Sequence, residues 1–435
     1  MKVLHLSTFH RFGGAAIAAS RLNQALNRAG VSSEMLVAET SIDEPAVISL
    51  AKTTWQKRWA KARFALDRLT FLPHERSRDV RFAFSPALIG TDISDHPLVQ
   101  QADILHLHWT TFGFLSTRSL QKLFALQKPV IWTMHDMWAF TGGCHHSGPC
   151  ERFQQYCGHC PFLRLPTPDD LSYQDWLRKQ DAYENARLTP VGCSQWLANR
   201  ARKSSLFRGL SVQSIPNPLD TSLFAPMPKT AARQELGLQT DKRLILFAAA
   251  KVSALGKGFS YFQQALQQLR QQLPQPEEVE LLIFGAGDEQ LLQELPFRYH
   301  FLGSLSNLRQ IVAAYSAADL FVIPSLEENL PNTIMESMAC GTPVVGFDVG
   351  GIPEMVQHQQ TGYLVQYRSV DDLANGMHWI LEQPKTGYEQ LATNARNFVV
   401  AHYDEAVVAG QYIQLYEEVI PQGLSGDIRD NQRKP

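Results

Sequence analysis

Short, almost wholly apolar runs alternate with helix-like stretches along nearly the whole chain. Val3–Leu6, Glu34–Ala38, Asp103–His108, Pro129–Met134, Pro190–Cys193 and Val212–Ile215 lie in the first half. Arg243–Ala249, Val279–Phe284, Tyr299–Leu302, Leu320–Pro324, Pro343–Phe347 and Gly362–Gln366 repeat the pattern in the second. Strands that are apolar on both faces belong to parallel sheets covered by helices, so the expected fold class is α/β with two doubly wound sheets. Between the halves, Pro216, Pro218, Pro226 and Pro228 punctuate a segment that can be neither helix nor central strand. The expected organisation is therefore a first domain at 1–214, a linker at 215–228 and a second domain at 229–402. A final helix at 403–420 is expected to cross back to the first domain, followed by a polar tail at 421–435. Two Rossmann-like domains facing each other create a cleft, and such clefts are common ligand sites.

Composition narrows the function. With 435 residues, 44% apolar and 19% charged, the chain can bury two sizeable cores. A formal net charge of -2 argues against a nucleic-acid partner. No apolar run reaches the roughly 18 residues of a membrane-spanning helix. Met1–Thr8 reads as a strand rather than a signal peptide, so a cytoplasmic location is expected.

The richest segment is Pro324–Val345, where a strand runs into a loop and then a helix starting near Asn332. Glu328 falls at the carboxyl end of that strand, where open α/β sheets bind ligands. Asn332 and Thr333 fall at the helix start, whose free amides suit a phosphate. Glu336 lies one turn further and can accept from a vicinal hydroxyl pair. Lys257 follows another strand and offers a cation to a leaving diphosphate, with Lys251 nearby. Gly13 and Gly14, and Gly285 and Gly287, sit in strand-to-helix turns that let backbone approach a ligand. His135 ends the strand Pro129–Met134, with Asp136 placed to orient it. Asp103, His106, His108 and Trp109 form a second candidate set.

The order Ser325, Glu328, Glu336, Ala339, Cys340, Gly341, Thr342, Pro343 resembles the Glu-x7-Glu signature of retaining family 4 glycosyltransferases with the GT-B fold. Gly13-Gly14-Ala15, His135-Asp136, Ile215-Pro-Asn217, Lys257-Gly258, Phe284–Gly287 and Val349–Glu354 fall in that family's order. The resemblance implies that Glu328 contacts the donor sugar, Glu336 the nucleotide ribose, and His135 the transferring centre. Glu327 is a rival for the first role. The family often has Gly-Phe-Gly after the first glutamate, where this chain has Asn329-Leu330-Pro331. The arginine usual five residues before the lysine is replaced by Val252.

Two features lie outside that pattern. Cys144, Cys150, Cys157 and Cys160, spaced by five, six and two residues, suit a structural zinc, disulfides or free thiols. From Lys52 to Arg81 there are nine Lys/Arg against three Asp/Glu, with Trp55, Trp59, Ala62, Leu66 and Leu69 on one helical face. That helix either packs on its own domain or lies on an anionic membrane surface, which would make the protein peripheral.

The expected activity is transfer of a sugar, with retention of configuration, from a UDP- or GDP-sugar to a glycan or lipid-linked acceptor in cell-surface polysaccharide synthesis. No DxD motif is apparent, so no catalytic cofactor is expected. The rivals are a sugar-nucleotide epimerase on the same fold and a catalytically inactive sugar-nucleotide-binding protein.

Overall fold

The computed structural model describes residues 1–40, 42–287 and 289–420. The expected tail at 421–435 and Asp288 lie outside the described residues. Thirteen strands among the described residues form two sheets in which every pairing is parallel. The first holds β1 (Lys2–Ser7), β2 (Ser32–Val37), β3 (Val47–Ser49), β4 (Ile104–Leu107), β5 (Val130–Met134), β6 (Leu188–Gly192) and β7 (Gln213–Ser214). Their order is β3-β2-β1-β4-β5-β6-β7. The second holds β8 (Arg243–Lys251), β9 (Val279–Ala286), β10 (Tyr299–Phe301), β11 (Leu320–Ile323), β12 (Val344–Phe347) and β13 (Gly362–Val365). Their order is β10-β9-β8-β11-β12-β13. Each apolar run named above carries a strand. β3 is the addition, three half-buried residues too short to show a period.

The chain divides into two compact units, Met1–Pro218 with the described residues from Val408, and Leu219–Val407. The proline-rich segment is divided between them. Its second part is docked, not free: Leu219 N donates to Tyr403 O at 2.8 Å, and Arg396 Nη1 donates to Phe224 O at 3.1 Å.

Strand alternation decides what each face of the first sheet buries. Leu4, Leu6, Leu105, Leu107, Val130, Trp132 and Met134 face one large core. Val3, Ile104, Ile131 and Val191 face the other, where the helix Gly14–Arg28 contributes Leu22 and Leu26. The helix Glu405–Val419 closes that second core with Val408, Ala409, Tyr412, Leu415 and Tyr416. Further along the same strands the face turns polar, with His5, His106 and Thr133 in the alternate positions. Tyr416 Oη meets His106 Nδ1 at 2.7 Å, and Tyr412 Oη meets Thr133 Oγ1 at 2.7 Å. The tyrosine rings extend the apolar cover while their hydroxyls satisfy a buried polar strip.

In the second unit, Ile245, Phe247, Leu281, Ile283, Leu320, Val322, Val345 and Phe347 form one core. The helices Phe259–Gln272 and Val370–Leu381 cover it. Among the described residues no helix is long and apolar enough to cross a membrane.

The helix Thr54–Phe71 begins with a capping box at Thr53 and Gln56. Its buried residues are Asp67, Arg68 and Phe71, whereas Trp55 is 73% exposed and Trp59 is 51% exposed. The tryptophan face is therefore turned to solvent, not to the helix's own core.

Replacing Tyr416 by Phe removes the hydroxyl from a buried histidine nitrogen at almost no cost in volume. The expected loss is about 1–3 kcal/mol, read as a lower urea midpoint.

Candidate functional site

In the second sheet the strand order reverses between β8 and β11, and Lys257 and Glu328 meet at that switch point. Lys257 follows β8 through a short loop, and Glu328 follows β11. Lys257 Nζ and Glu328 Oε1 form an ion pair, with the lysine 39% and the glutamate 12% exposed. Glu327 is exposed, so the carboxylate that meets Lys257 is that of Glu328. The switch point of an open parallel sheet is where the loops part and a ligand fits.

Close backbone approaches fix these loops. Gly258 is left-handed with φ +68°, and a Cβ on it would lie 1.8 Å from Pro324 O. Gly350 has φ +62°, and a Cβ there would lie 1.7 Å from Glu328 O. Leu326 N donates to Gly256 O at 2.8 Å, tying together the loops that carry Lys257 and Glu328. Ser325 Oγ is buried with no hydrogen-bond partner among the described residues.

The helix Asn332–Ala339 starts after Pro331, with Asn332 and Thr333 half-buried at its first turn. Glu336 is buried on the same helix and accepts from Tyr315 Oη at 3.1 Å. Tyr315 has no counterpart in the sequence reading, because it comes from the separate helix Leu308–Ala317. Lys251 ends β8 beside Ala286, and Gly285 packs against Ala249 O, where a Cβ would lie at 1.8 Å. Gly287 lies against Val252. Lys251, Gly285 and Gly287 thus share the β8–β9 edge of this unit, next to the Lys257 loop.

Gly13, Gly14 and His135 belong to the first unit. Gly13 takes φ +87° and caps the helix Gly14–Arg28 without a side chain. The loops after β1 and β2, with the helix Thr54–Phe71, line a cavity of about 490 Å³. Thr8, His10, Arg11, Thr40, Lys61 and Phe112 are among its walls.

His135 follows β5, where its Nε2 lies 3.2 Å from His108 Nδ1. Burial lowers the His135 pKa to about 4, against the pull of Asp136. Asp136 turns away from it: Oδ2 accepts from Trp109 Nε1 at 2.8 Å and meets His145 Nδ1 at 2.7 Å. Burial alone would raise the Asp136 pKa, but His145 holds it down at about 2. His145 Nε2 in turn meets Ser85 Oγ at 2.8 Å. This Ser-His-Asp arrangement has no accessible nucleophile, because Ser85 is fully buried and accepts from Arg68 Nη2 at 3.2 Å. It is a structural brace. Asp136 therefore anchors a loop rather than orienting His135.

The four clustered cysteines are unpaired and line one small cavity of about 20 Å³. Gly142 N donates to Cys157 Sγ at 3.1 Å. Burial raises the thiol of Cys144 to about 11 and that of Cys157 to about 12. Lys179, fully buried beside them, donates to Thr141 O at 2.9 Å and to Trp138 O. Burial lowers its pKa to about 8. Among the described residues, the one group of three ligand atoms within 4.8 Å of one another is that of His5, His106 and His108.

The class is set by these two doubly wound α/β units: the fold is GT-B. Sucrose-phosphate synthase from Thermosynechococcus elongatus matches with a TM-score of 0.66 at 21% identity, over 96% of this chain and 99% of that one. Anabaena Alr3699/HepE in complex with UDP matches with a TM-score of 0.62 at 18% identity, over 96% and 100% of the two chains. In the sequence, residues 242–383 match the family model of glycosyl transferases group 1. Phosphatidyl-myo-inositol mannosyltransferase of Mycolicibacterium smegmatis is 31% identical over 239 residues, 53% of this chain and 58% of that protein. The chain spans about half the length of the curated relatives it matches.

Two outcomes are expected from this geometry. Gly350→Ala must displace the Glu328 backbone as well as adopt a left-handed φ. Gly237, at φ +67°, has nothing within 4 Å of its would-be Cβ among the described residues, so Gly237→Ala carries the backbone cost alone, about 1–2 kcal/mol. Thermal unfolding should rank Gly350→Ala well below Gly237→Ala, with faster amide exchange confined to the Ser325–Leu330 loop. The second concerns acid. Burial holds His5, His106 and His108 neutral, with lowered pKa values, while unfolded histidine titrates near 6.5. The unfolded chain thus binds more protons below that pH. Stability is complete above about pH 6.5 and falls by up to about 1.4 kcal/mol per pH unit for each histidine as pH drops. Urea midpoints between pH 7 and pH 5 measure the slope.

Proposed function

We propose that the protein is a retaining glycosyltransferase that moves a sugar from a nucleotide-sugar donor to a glycan or lipid-linked acceptor. The observation that carries this reading is the Lys257–Glu328 ion pair at the β8/β11 switch point, within a segment of the group 1 family. Lys257 takes the leaving diphosphate, where a cation offsets the charge that builds as the glycosidic bond breaks. The first turn of the helix Asn332–Ala339 adds amide donors to the same phosphates. Glu328, steered by Lys257 until the donor arrives, orients the sugar hydroxyls, and buried Glu336 accepts from the ribose. Front-side attack within an ion pair, with Lys257 holding the departing diphosphate, is the proposed route to retention. Lys251, Gly285 and Gly287 flank the nucleotide, and Gly13, Gly14 and His135 serve the reacting end. The UDP held by the Anabaena structure supports a UDP-sugar. The lipid named in the mannosyltransferase relative supports a lipid-linked acceptor.

Exposed Trp55 and Trp59 beside Lys57, Arg58 and Lys61 suit an anionic membrane surface, the place where a lipid-linked acceptor would be met. On this reading the protein is peripheral, on the cytoplasmic face of the membrane. The four cysteines suit a structural zinc: soft thiol donors share one cavity, and buried Lys179 would offset the charge of the thiolates. An ion would draw sulfurs together that do not yet converge. In the full chain, about one zinc per protein is expected by elemental analysis, lost on Cys157→Ser together with thermal stability.

A panel of UDP-, GDP- and ADP-sugars tests the activity. At least one should raise the melting temperature and be turned over. Lys257→Ala and Glu328→Gln should each lower turnover by about 100-fold, while Glu327→Gln stays within about twofold. No response to any sugar nucleotide refutes the reading. Conversion of the donor's sugar without an acceptor would favour an epimerase.

A further inference from the structure

The alternation of parallel strands puts His5 of β1, His106 and His108 of β4 and its end, and His135 just beyond β5 on one face of the first sheet. His5 and His106 are register partners. Three of these rings meet edge to edge. His5 Nδ1 lies 2.8 Å from His108 Nε2, with ring centroids 5.1 Å apart and planes inclined by 19°. His108 Nδ1 lies 3.2 Å from His135 Nε2, with centroids 5.4 Å apart and planes inclined by 26°. Each centroid separation is the N···N distance plus two ring radii, so the hydrogen bonds run in the ring planes. The fourth ring, His106, stacks on this ribbon at 4.4 Å from His108 and 4.6 Å from His5. Its nitrogens are taken by Tyr416 Oη and Thr133 Oγ1, at 2.7 and 2.8 Å. The nitrogens of His5, His106 and His108 are close enough for a metal, but their in-plane lone pairs point along these hydrogen bonds and not at a common centre.

A neutral imidazole carries one N–H, so a head-to-tail row has two possible directions. They differ at the inner end. His5 Nε2 is buried with no partner among the described residues. If the row ran inward, that nitrogen would be an N–H left without an acceptor. If it runs outward, the nitrogen is a bare acceptor. Orphaned buried N–H groups are the rarer of the two.

We propose that His5, His108 and His135 form a one-way imidazole row: His5 Nδ1–H donates to His108 Nε2, and His108 Nδ1–H donates to His135 Nε2. The row fixes His135 as the Nδ1–H tautomer. Its inner nitrogen is spent as an acceptor, and its outer nitrogen is a hydrogen-bond donor. On the reading that His135 serves the reacting end, it donates to a substrate oxygen and does not take a proton. His5 and His108 are positioning residues that act through it.

The test begins on the unliganded full chain, so it stands whether or not any sugar nucleotide is turned over. Nitrogen-15 NMR of the histidine side chains near pH 7 should show His135 as a neutral ring protonated at Nδ1. His108→Asn keeps an N–H donor at the position of His108 Nδ1 and should retain that tautomer. His108→Phe removes the donor and should give the Nε2–H form or a mixture. With an active donor sugar, turnover should fall by about tenfold or more in His108→Phe, be largely restored in His108→Asn, and leave the donor KM unchanged in both. A wild-type His135 protonated at Nε2 overturns the row. So does a folded His108→Phe variant with the His135 tautomer and turnover of the wild type. The correct tautomer, with turnover unchanged in His135→Phe, overturns the substrate role alone.

Discussion

Everything in this structure follows from strands that are buried on both faces. A strand such as β4 or β11 has no solvent face, so helices must cover the sheet on either side, and consecutive strands must run the same way. The carboxyl ends of all the strands of a sheet then lie along one edge. Loops at that edge are free to carry chemistry, and they part where the strand order reverses. In the second unit that point lies between β8 and β11, and in the first between β1 and β4. The Lys257–Glu328 pair and the histidine row are the polar contents of these two places. The first lies in the loops beyond the strands, and the second reaches from inside β1 to the end of β5, where the hydroxyls of Thr133 and Tyr416 satisfy the ring stacked on it.

Much of this was legible in the residues. The strands could be read because a parallel sheet leaves an unmixed apolar signature, and the helix start after Glu328 because Pro331-Asn332 and Gly341 bracket a short helical pattern. The pairing of Lys257 with Glu328 was not legible from spacing. It depends on the close passage of Gly258 and Gly350 against neighbouring backbone, which no periodicity encodes. The choice between a packed and an exposed stripe on the helix Thr54–Phe71 was not legible for a related reason. The stripe suited either packing or a membrane surface, and what this helix buries is Asp67, Arg68 and Phe71, with Arg68 supplying donors to the carbonyls of Arg81 and Phe84.

The histidines illustrate a different limit. His106, His108 and His135 stood out as candidates, but His5 did not, although a histidine inside an apolar strand is itself a signal. Its meaning lies in its register partner, about a hundred residues along the chain, and sequence gives no register between strands of a crossover fold. The same holds for Asp136. Next to His135 in sequence, it reads as that residue's orienting group, but adjacent residues at a strand end point opposite ways. The carboxylate serves Trp109 and His145 instead.

The helix Glu405–Val419 has a consequence for how the protein is made. Its tyrosines complete a core begun by Val3 and Ile104, and the contact between His106 and Tyr416 spans 310 residues. On a ribosome, the first unit emerges with one face of its sheet only partly covered, by the helix Gly14–Arg28. It must wait for the whole of the second unit to be synthesised before that face is closed. At roughly 5–20 residues per second the interval lasts on the order of ten seconds or more. The second unit has no such delay, since its core is drawn from one continuous stretch. The later-made half of the chain is thus the one that can finish folding first, and the first half is the one that needs protection while it waits.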